Sequence, residues 1–313
     1  MIIVNLKGGL GNQMFQYACG RALSLRAKAR GESGTLRLDA TGFDRVNAMP
    51  GTVTRRSYEL GAFNVQARLA TPEEIKCVKY PFGILSKAWR YFSAKGLRKF
   101  HIAFEEKTFG HNDRIYLDGY WQTEKYFRDH EAAIRNDFTL AKPPGEAAMR
   151  QFKAIAKARH SVSLHIRRGD YVTDSATAGH HGSCGKDYYE RAVVEMAQML
   201  NQRGPSRGAR GKAKEAVAIP NIFVFSDDIA WAKANLSFPC PISFVSSPDL
   251  TSAEELALMS SCKHHVIANS TFSWWGAWLG QNADKIVMAP KRWAQEHDED
   301  WYADIIPESW IRI

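Results

Sequence analysis

The second half of this chain constrains its fold most. Five short apolar runs occur there, at Ser161–Ile166, Asn221–Phe225, Ile242–Val245, His264–Ala268 and Lys285–Met288. Helical patterns separate them at Lys186–Gln202, Ala230–Leu236, Ser252–Cys262 and Phe272–Gln281. Strands that alternate with helices at this spacing form a parallel sheet covered on both faces. The N-terminus opens the same way. Ile2 to Leu6 reads as a buried strand, Gly8-Gly9-Leu10-Gly11 as a turn, and Asn12 as the start of a helix. Met14, Tyr17, Ala18, Arg21, Ala22 and Leu25 then recur at helical spacing, and Thr35 to Asp39 reads as a further strand.

At 313 residues the chain is long enough for two α/β domains. Ala141-Lys142-Pro143-Pro144-Gly145 is the natural hinge, which gives domains over 1–142 and 145–313, with a final helix that can cross back. Between Phe43 and Lys142 the pattern is irregular and rich in aromatic and basic residues, with weak helices at Thr71–Cys77 and Glu124–Arg135.

Composition narrows the function classes. Hydrophobic residues make up 45% and charged residues 24%, the balance of a folded globular protein. Five cysteines at wide spacing, with no Cys-x-x-Cys pair, argue against a disulfide framework and a zinc knuckle. The first apolar run is too short for a signal sequence, and none reaches the roughly 20 residues of a membrane span. The expectation is a cytoplasmic protein. A net charge of +9 attracts polyanions and leaves peripheral contact with the inner membrane open. So does the basic, glycine-rich segment Arg203 to Lys212, which otherwise reads as a solvated loop. Nucleic acid is not the expected partner, because the tryptophans cluster with Ser, Thr and Gly rather than interleaving with basic residues.

Four clusters carry chemistry, each at the end of an expected strand, where ligands of doubly wound sheets gather. Lys7-Gly8-Gly9-Leu10-Gly11-Asn12-Gln13 brings backbone close to a ligand at a helix start, yet matches neither the NTPase loop nor the dinucleotide fingerprint. His165-Ile166-Arg167-Arg168-Gly169-Asp170-Tyr171 sets two arginines at a strand end. One can fork onto a phosphate while the other pairs with Asp170. In Phe225-Ser226-Asp227-Asp228 the carboxylates can receive a guanine N–H edge, hold a metal or cap the next helix. No further metal ligand stands in register. In Ala268-Asn269-Ser270-Thr271-Phe272-Ser273-Trp274-Trp275, the hydroxyls of Ser270, Thr271 and Ser273 can donate to phosphate beside helix N–H groups.

In this order, the clusters resemble the alpha-1,2-fucosyltransferases of glycosyltransferase family 11. The matching pieces are Gly8 to Ala18, His165-x-Arg167-Arg168-Gly169-Asp170-Tyr171, Phe225 to Asp228 and Ala268 to Gly276. The resemblance implies an inverting enzyme of GT-B architecture. Such an enzyme has two Rossmann-like domains with parallel sheets, an acceptor-side N-terminal domain, a C-terminal domain that binds the GDP-sugar, and the donor site in the cleft between them. It implies GDP-L-fucose as donor, a galactose-terminated oligosaccharide as acceptor, and no metal or other cofactor. Arg167 falls on the diphosphate with Arg168 orienting it or sharing the charge. His165 and one of Asp227 or Asp228 meet guanine, and Thr271, Phe272 and Ser273 close around the phosphates. Gly9, Leu10 and Gly11 bring Asn12 over the sugar. A general base for the acceptor hydroxyl is open among Asp170, Asp174, Asp187 and Glu254.

Overall fold

A computed structural model describes residues 1–49, 55–80, 104, 114–168, 184–202, 217–294 and 302–313. The chain forms two compact units, Met1–Lys142 with His297–Pro307, and Pro143–Glu296 with Glu308–Ile313.

The first unit begins with strand β1 (Ile2–Asn5) and helix α1 (Leu10–Ala29), followed by β2 (Leu36–Asp39) and α2 (Gly42–Asn47). Next come β3 (Arg68–Leu69), α3 (Pro72–Lys79), β4 (Ile115–Leu117) and α4 (Glu131–Asp137). The strands form one parallel sheet in the order β3-β2-β1-β4. Helix α1 lies close on β1, because a Cβ on Gly20 would come within 2.3 Å of Val4 Cγ2. A capping box between Thr71 and Glu74, with Pro72 at the first helical position, starts α3.

One expectation fails here. Glu124–Arg135 is not a single helix but two 3₁₀ turns, Glu124–Tyr126 and Arg128–His130, that lead into α4. Phe127 leaves helical geometry at φ −135°, ψ 3°, and its side chain is fully buried. Burial of that ring overrides the local helical pattern.

The second unit runs α5 (Glu146–Lys157), β5 (Ser161–Ile166), α6 (Lys186–Gln202), β6 (Asn221–Ser226) and α7 (Ile229–Asn235). It continues with β7 (Ile242–Phe244), α8 (Ser252–Ser261), β8 (His264–Val266), α9 (Thr271–Leu279), β9 (Val287–Ala289) and β10 (Ile311–Arg312). Its sheet is parallel throughout, in the order β10-β9-β8-β5-β6-β7. Helix α5 is additional to the helices that the sequence pattern marks; its Ala148 and Ile155 pack with Phe223, Phe225, Leu258 and Met259 on one face of the sheet. On the other face Val162, Leu164 and Ile166 pack with Tyr189, Val193 and Met196 of α6. The expected final helix is absent among the described residues, where turns lead into β10.

Candidate active site

The second unit gathers three of the sequence clusters at the carboxyl ends of adjacent strands β8, β5 and β6. The chain winds from β5 outward through β6 to β7, then returns to β8 on the other side of β5. That reversal is the topological switch point, where the loops of a doubly wound sheet diverge and leave a crevice.

All of β5 is buried. His165, near its end, is 5% exposed, with Phe272 of α9 5.8 Å from its ring. Its buried Nδ1 has no hydrogen-bond partner among the described residues. Burial, and then the nearby Arg167 charge, pull its pKa down to about 3, so the imidazole is neutral near pH 7.

The register of β5 on β6 pairs Ile166 with Ser226. Carried one residue further, it sets Arg167 beside Asp227. Arg167 Nη1 lies 2.9 Å from Asp227 Oδ2, and the Arg168 backbone N–H donates to Asp227 Oδ1 at 2.9 Å. Arg168 Nε lies 3.3 Å from Asp228 Oδ2, and its guanidinium sits 4.0 Å above the Trp231 ring. Asp228 Oδ1 also accepts from the Trp231 backbone N–H at 3.0 Å, which makes Asp228 the N-cap of α7. Both arginines therefore turn to carboxylates at the end of β6. Asp170, the expected partner, lies outside the described residues, as do Asp174 and the Arg203 to Lys212 segment.

At the third strand end, Ala268-Asn269-Ser270 leads into α9. Ser270 stands at the N-cap position, yet its hydroxyl makes no capping bond. Thr271 and Phe272 are half-buried. Ser273 is turned inward, 1% exposed, with its hydroxyl donating to Ser270 O at 3.2 Å. Trp274, Trp275 and Trp278 are buried and pack ring on ring.

The glycine cluster opens the first unit. Gly8 is left-handed at φ +77°, and a Cβ there would come within 2.4 Å of Asn12 Nδ2. Only glycine lets the loop close over that amide. Gly9 precedes α1 without a side-chain cap, and Leu10 and Gly11 are buried at its start. Two glutamines, whose roles the sequence did not disclose, clamp the loop. Gln13 Nε2 donates to Gly8 O and Ser57 O, at 3.1 and 2.8 Å, while its Oε1 accepts from Glu59 N at 3.0 Å. Gln16 exchanges both amide bonds with the Lys7 backbone, at 3.0 and 3.2 Å. Gln122 Nε2 donates to Asn12 Oδ1 at 2.7 Å. The neighbouring Trp121 holds a left-handed φ of 54°, a costly conformation for an indole side chain.

The profile described as Glycosyl transferase family 11 matches residues 87–313. This chain belongs to glycosyl transferase family 11. The transferase is 30% identical over 321 residues to an Alpha-1,2-colitosyltransferase of Escherichia coli, covering 100% of this chain and 99% of that protein. It is also 30% identical over 335 residues to the O-antigen biosynthesis glycosyltransferase WbnK of Escherichia coli, covering 98% and 99%. It is 24% identical over 287 residues to the Galactoside 2-alpha-L-fucosyltransferase SEC1 of Bos taurus, covering 88% of this chain and 63% of that protein. Each of its two units carries a parallel sheet, in keeping with the expected pair of Rossmann-like domains.

The transferase carries a further acid that the sequence did not single out. Glu255, in the first turn of α8, lies near Asp227 and pairs with the Ser246 hydroxyl. Burial raises its pKa, the Ser246 bond opposes the rise and the Asp227 charge adds to it, bringing it to about 7. Ser246 Oγ in turn accepts from Ser226 N at 3.0 Å. Glu254, the expected base candidate one residue earlier, is occupied otherwise. It closes a capping box with Thr251 and accepts from Gly145 N at 2.7 Å. Asp187 is exposed in the first turn of α6. Among the described residues, no helix is long and apolar enough to cross a membrane.

Proposed function

We propose that this glycosyltransferase moves L-fucose from GDP-β-L-fucose to the 2-hydroxyl of a terminal galactoside with inversion, in bacterial surface-glycan synthesis. The observation that carries the reading is the pair Arg167 and Arg168 at the switch point, both about one-fifth exposed and braced by Asp227 and Asp228. Negative charge develops on departing GDP, and preorganised cations beside it lower the barrier most. Guanidinium groups match phosphate oxygens and stay charged, so a metal is not required for this role. In this reading Arg167 holds the diphosphate, and the start of α9 at Ser270, Thr271 and Phe272 adds hydroxyl and N–H donors. His165 and Asp227 meet guanine; the cap made by Asp228 favours Asp227 for that role. In the same reading Asn12 acts on the sugar.

A second reading is transfer of colitose, which is L-fucose without its 3-hydroxyl. The whole-length likeness to an Alpha-1,2-colitosyltransferase favours it. The test is transfer to lactose from each GDP-sugar, with excess EDTA present and the product linkage read by NMR. A fucosylated product bonded at the galactose 2-hydroxyl supports the first reading, and product from GDP-colitose alone replaces it with the second. A bond at another hydroxyl rejects the linkage. GDP binding without turnover of either donor favours a non-catalytic sugar-nucleotide binder, and no GDP binding removes both readings.

A further inference from the structure

The first unit has a switch point of its own. Its chain runs from β1 through β2 to β3, then returns to β4 on the other side of β1. The loops that follow β1 and β4 diverge at the carboxyl ends of these strands, where a parallel sheet leaves a crevice for a ligand. The register that pairs Val4 with Leu117 brings Asn5 and Asp118 side by side at that place.

Asn5 Nδ2 donates to Asp118 Oδ1 at 2.9 Å, and Lys7 Nζ donates to the same oxygen at 3.1 Å. Oδ2 has no hydrogen-bond partner among the described residues, and the side chain is 32% exposed. Burial would raise the Asp118 pKa, but the Asn5 bond and the Lys7 and Lys79 charges outweigh it and keep the group anionic. Lys7 is fixed in turn, since Gln16 pins its backbone and its ammonium lies 4.8 Å over the Tyr120 ring. Trp121, at φ 54°, folds its indole back on Gly119, where a Cβ would come within 2.7 Å of Trp121 Cε2. Backbone strain of this kind clusters at ligand sites. The charges at these strand ends are balanced. Lys79 Nζ donates to Tyr116 Oη at 2.8 Å, whose hydroxyl donates to Asp39 Oδ2 at 2.6 Å, so the carboxylates Asp39 and Asp118 are set against Lys7 and Lys79. No acidic and imidazole cluster fit to hold a metal ion occurs among the described residues. A balanced crevice with one open carboxylate oxygen suits a neutral ligand that donates hydroxyl groups, rather than an anion or a metal ion.

We propose that Asp118 is a sugar-binding residue of the first unit, its Oδ2 accepting a hydrogen bond from one ring hydroxyl of a galactoside. The choice of sugar rests on the galactoside reading above. A hydroxyl that donates to an ionised carboxylate makes one of the stronger bonds open to a neutral sugar. With Oδ1 anchored by Asn5 and Lys7, Oδ2 has a fixed direction. A sugar whose hydroxyl is missing or points elsewhere leaves that charged oxygen unpaired, which selects the configuration at one ring carbon. Asn5, Lys7 and Asp118 all belong to the first unit, so the sugar is expected to bind with no donor present.

The experiment titrates the full chain, without any donor, with lactose and with lactose analogues that each lack one hydroxyl of the galactose ring. Ligand-observed NMR reads the binding. Asp118→Asn keeps an oxygen for Asn5 and Lys7 and puts an amide NH₂ in place of the open acceptor. It should weaken lactose binding by about ten- to a hundredfold, the scale of a hydrogen bond to a charged group, while calorimetry shows GDP affinity unchanged. One analogue should bind the unaltered protein about as weakly as lactose binds Asp118→Asn, and the variant should not tell that analogue from lactose. A merely structural role would weaken lactose and every analogue alike. Lactose binding by Asp118→Asn within about threefold of the unaltered protein, or an equal loss for every analogue, would overturn the assignment. GDP binding reads the donor site separately. If GDP binds and lactose does not, the sugar-binding assignment fails and the donor reading stands; if lactose binds through Asp118 and GDP does not bind, the transferase reading fails alone.

Discussion

Gln122 donates to Asn12 Oδ1 at 2.7 Å, and that bond fixes the direction of the Asn12 amide. With the oxygen occupied, Nδ2 is presented as a donor over Gly8. Gln122 is 7% exposed and follows the left-handed Trp121, so its direction is set by packing and backbone together.

Gln122→Ala should release the Asn12 amide and lower kcat/KM by about tenfold, the scale of one neutral hydrogen bond. Affinity for GDP alone should not change, since the proposed diphosphate contacts lie at Arg167 and the start of α9. Steady-state kinetics beside GDP calorimetry would separate the two. A matching loss in both would show that Gln122 supports the fold rather than Asn12.

Gly8→Ala should be worse than its small size suggests. Alanine at φ +77° costs about 1–2 kcal/mol, and its Cβ would collide with Asn12 Nδ2. Thermal unfolding should report the strain, and transfer assays should report a displaced Asn12. Unchanged activity in a folded variant would remove Asn12 from the reaction.

Arg167→Ala should raise the barrier to transfer by roughly 2.7–4 kcal/mol, the scale for loss of one preorganised donor to developing charge. Asp227→Asn should raise the donor KM, because Asp227 is the assigned guanine contact and also braces Arg167. Asp228→Asn should mainly lower stability, by about 1 kcal/mol, through a weakened cap on α7. Kinetics and urea unfolding of the three variants form one test. Equal donor KM values for Asp227→Asn and the unaltered protein would reject the guanine role.

Glu255 predicts a pH dependence with a definite sign. Its folded pKa of about 7 lies above the ordinary glutamate value, so the folded state holds the proton more tightly than the unfolded chain. Its contribution to stability is full below the ordinary value and is lost as pH rises through about 7. Urea midpoints at acid and mildly alkaline pH should therefore diverge more for the unaltered protein than for Glu255→Gln. Parallel midpoints would show that Glu255 is not held protonated.

The second unit was legible in the sequence because its signals are local. Continuous apolar runs mark strands buried on both faces, and the strand ends show as abrupt polarity in His165-Ile166-Arg167-Arg168 and Phe225-Ser226-Asp227-Asp228. The first unit was less legible: β3 has two residues and β4 three, too few for a period. Glu124 to Arg135 misled because its helical spacing is real, but burial of Phe127 breaks the helix. Helix α5 has its own amphipathic signal, with Ala148 and Ile155 inward, but it starts directly after the Pro143-Pro144-Gly145 hinge, whose breaker residues mask it. Gln13 and Gln16 look like ordinary helix residues; nothing local says that buried amides there hold the preceding loop.

The sequence by itself determined the parallel α/β class, the strand ends that bear polar clusters, and the glycine loop, since periodicity and glycine act over a few residues. The tertiary structure alone decided the partners. Arg168 meets Asp227 across 59 residues of chain, Gln122 meets Asn12 across 110, and Asn5 meets Asp118 across 113. Those meetings follow from the strand orders β8-β5-β6 and β2-β1-β4, which long-range packing sets. A residue's type shows that it can accept a hydrogen bond; only its neighbours in the folded chain decide which oxygen is already taken.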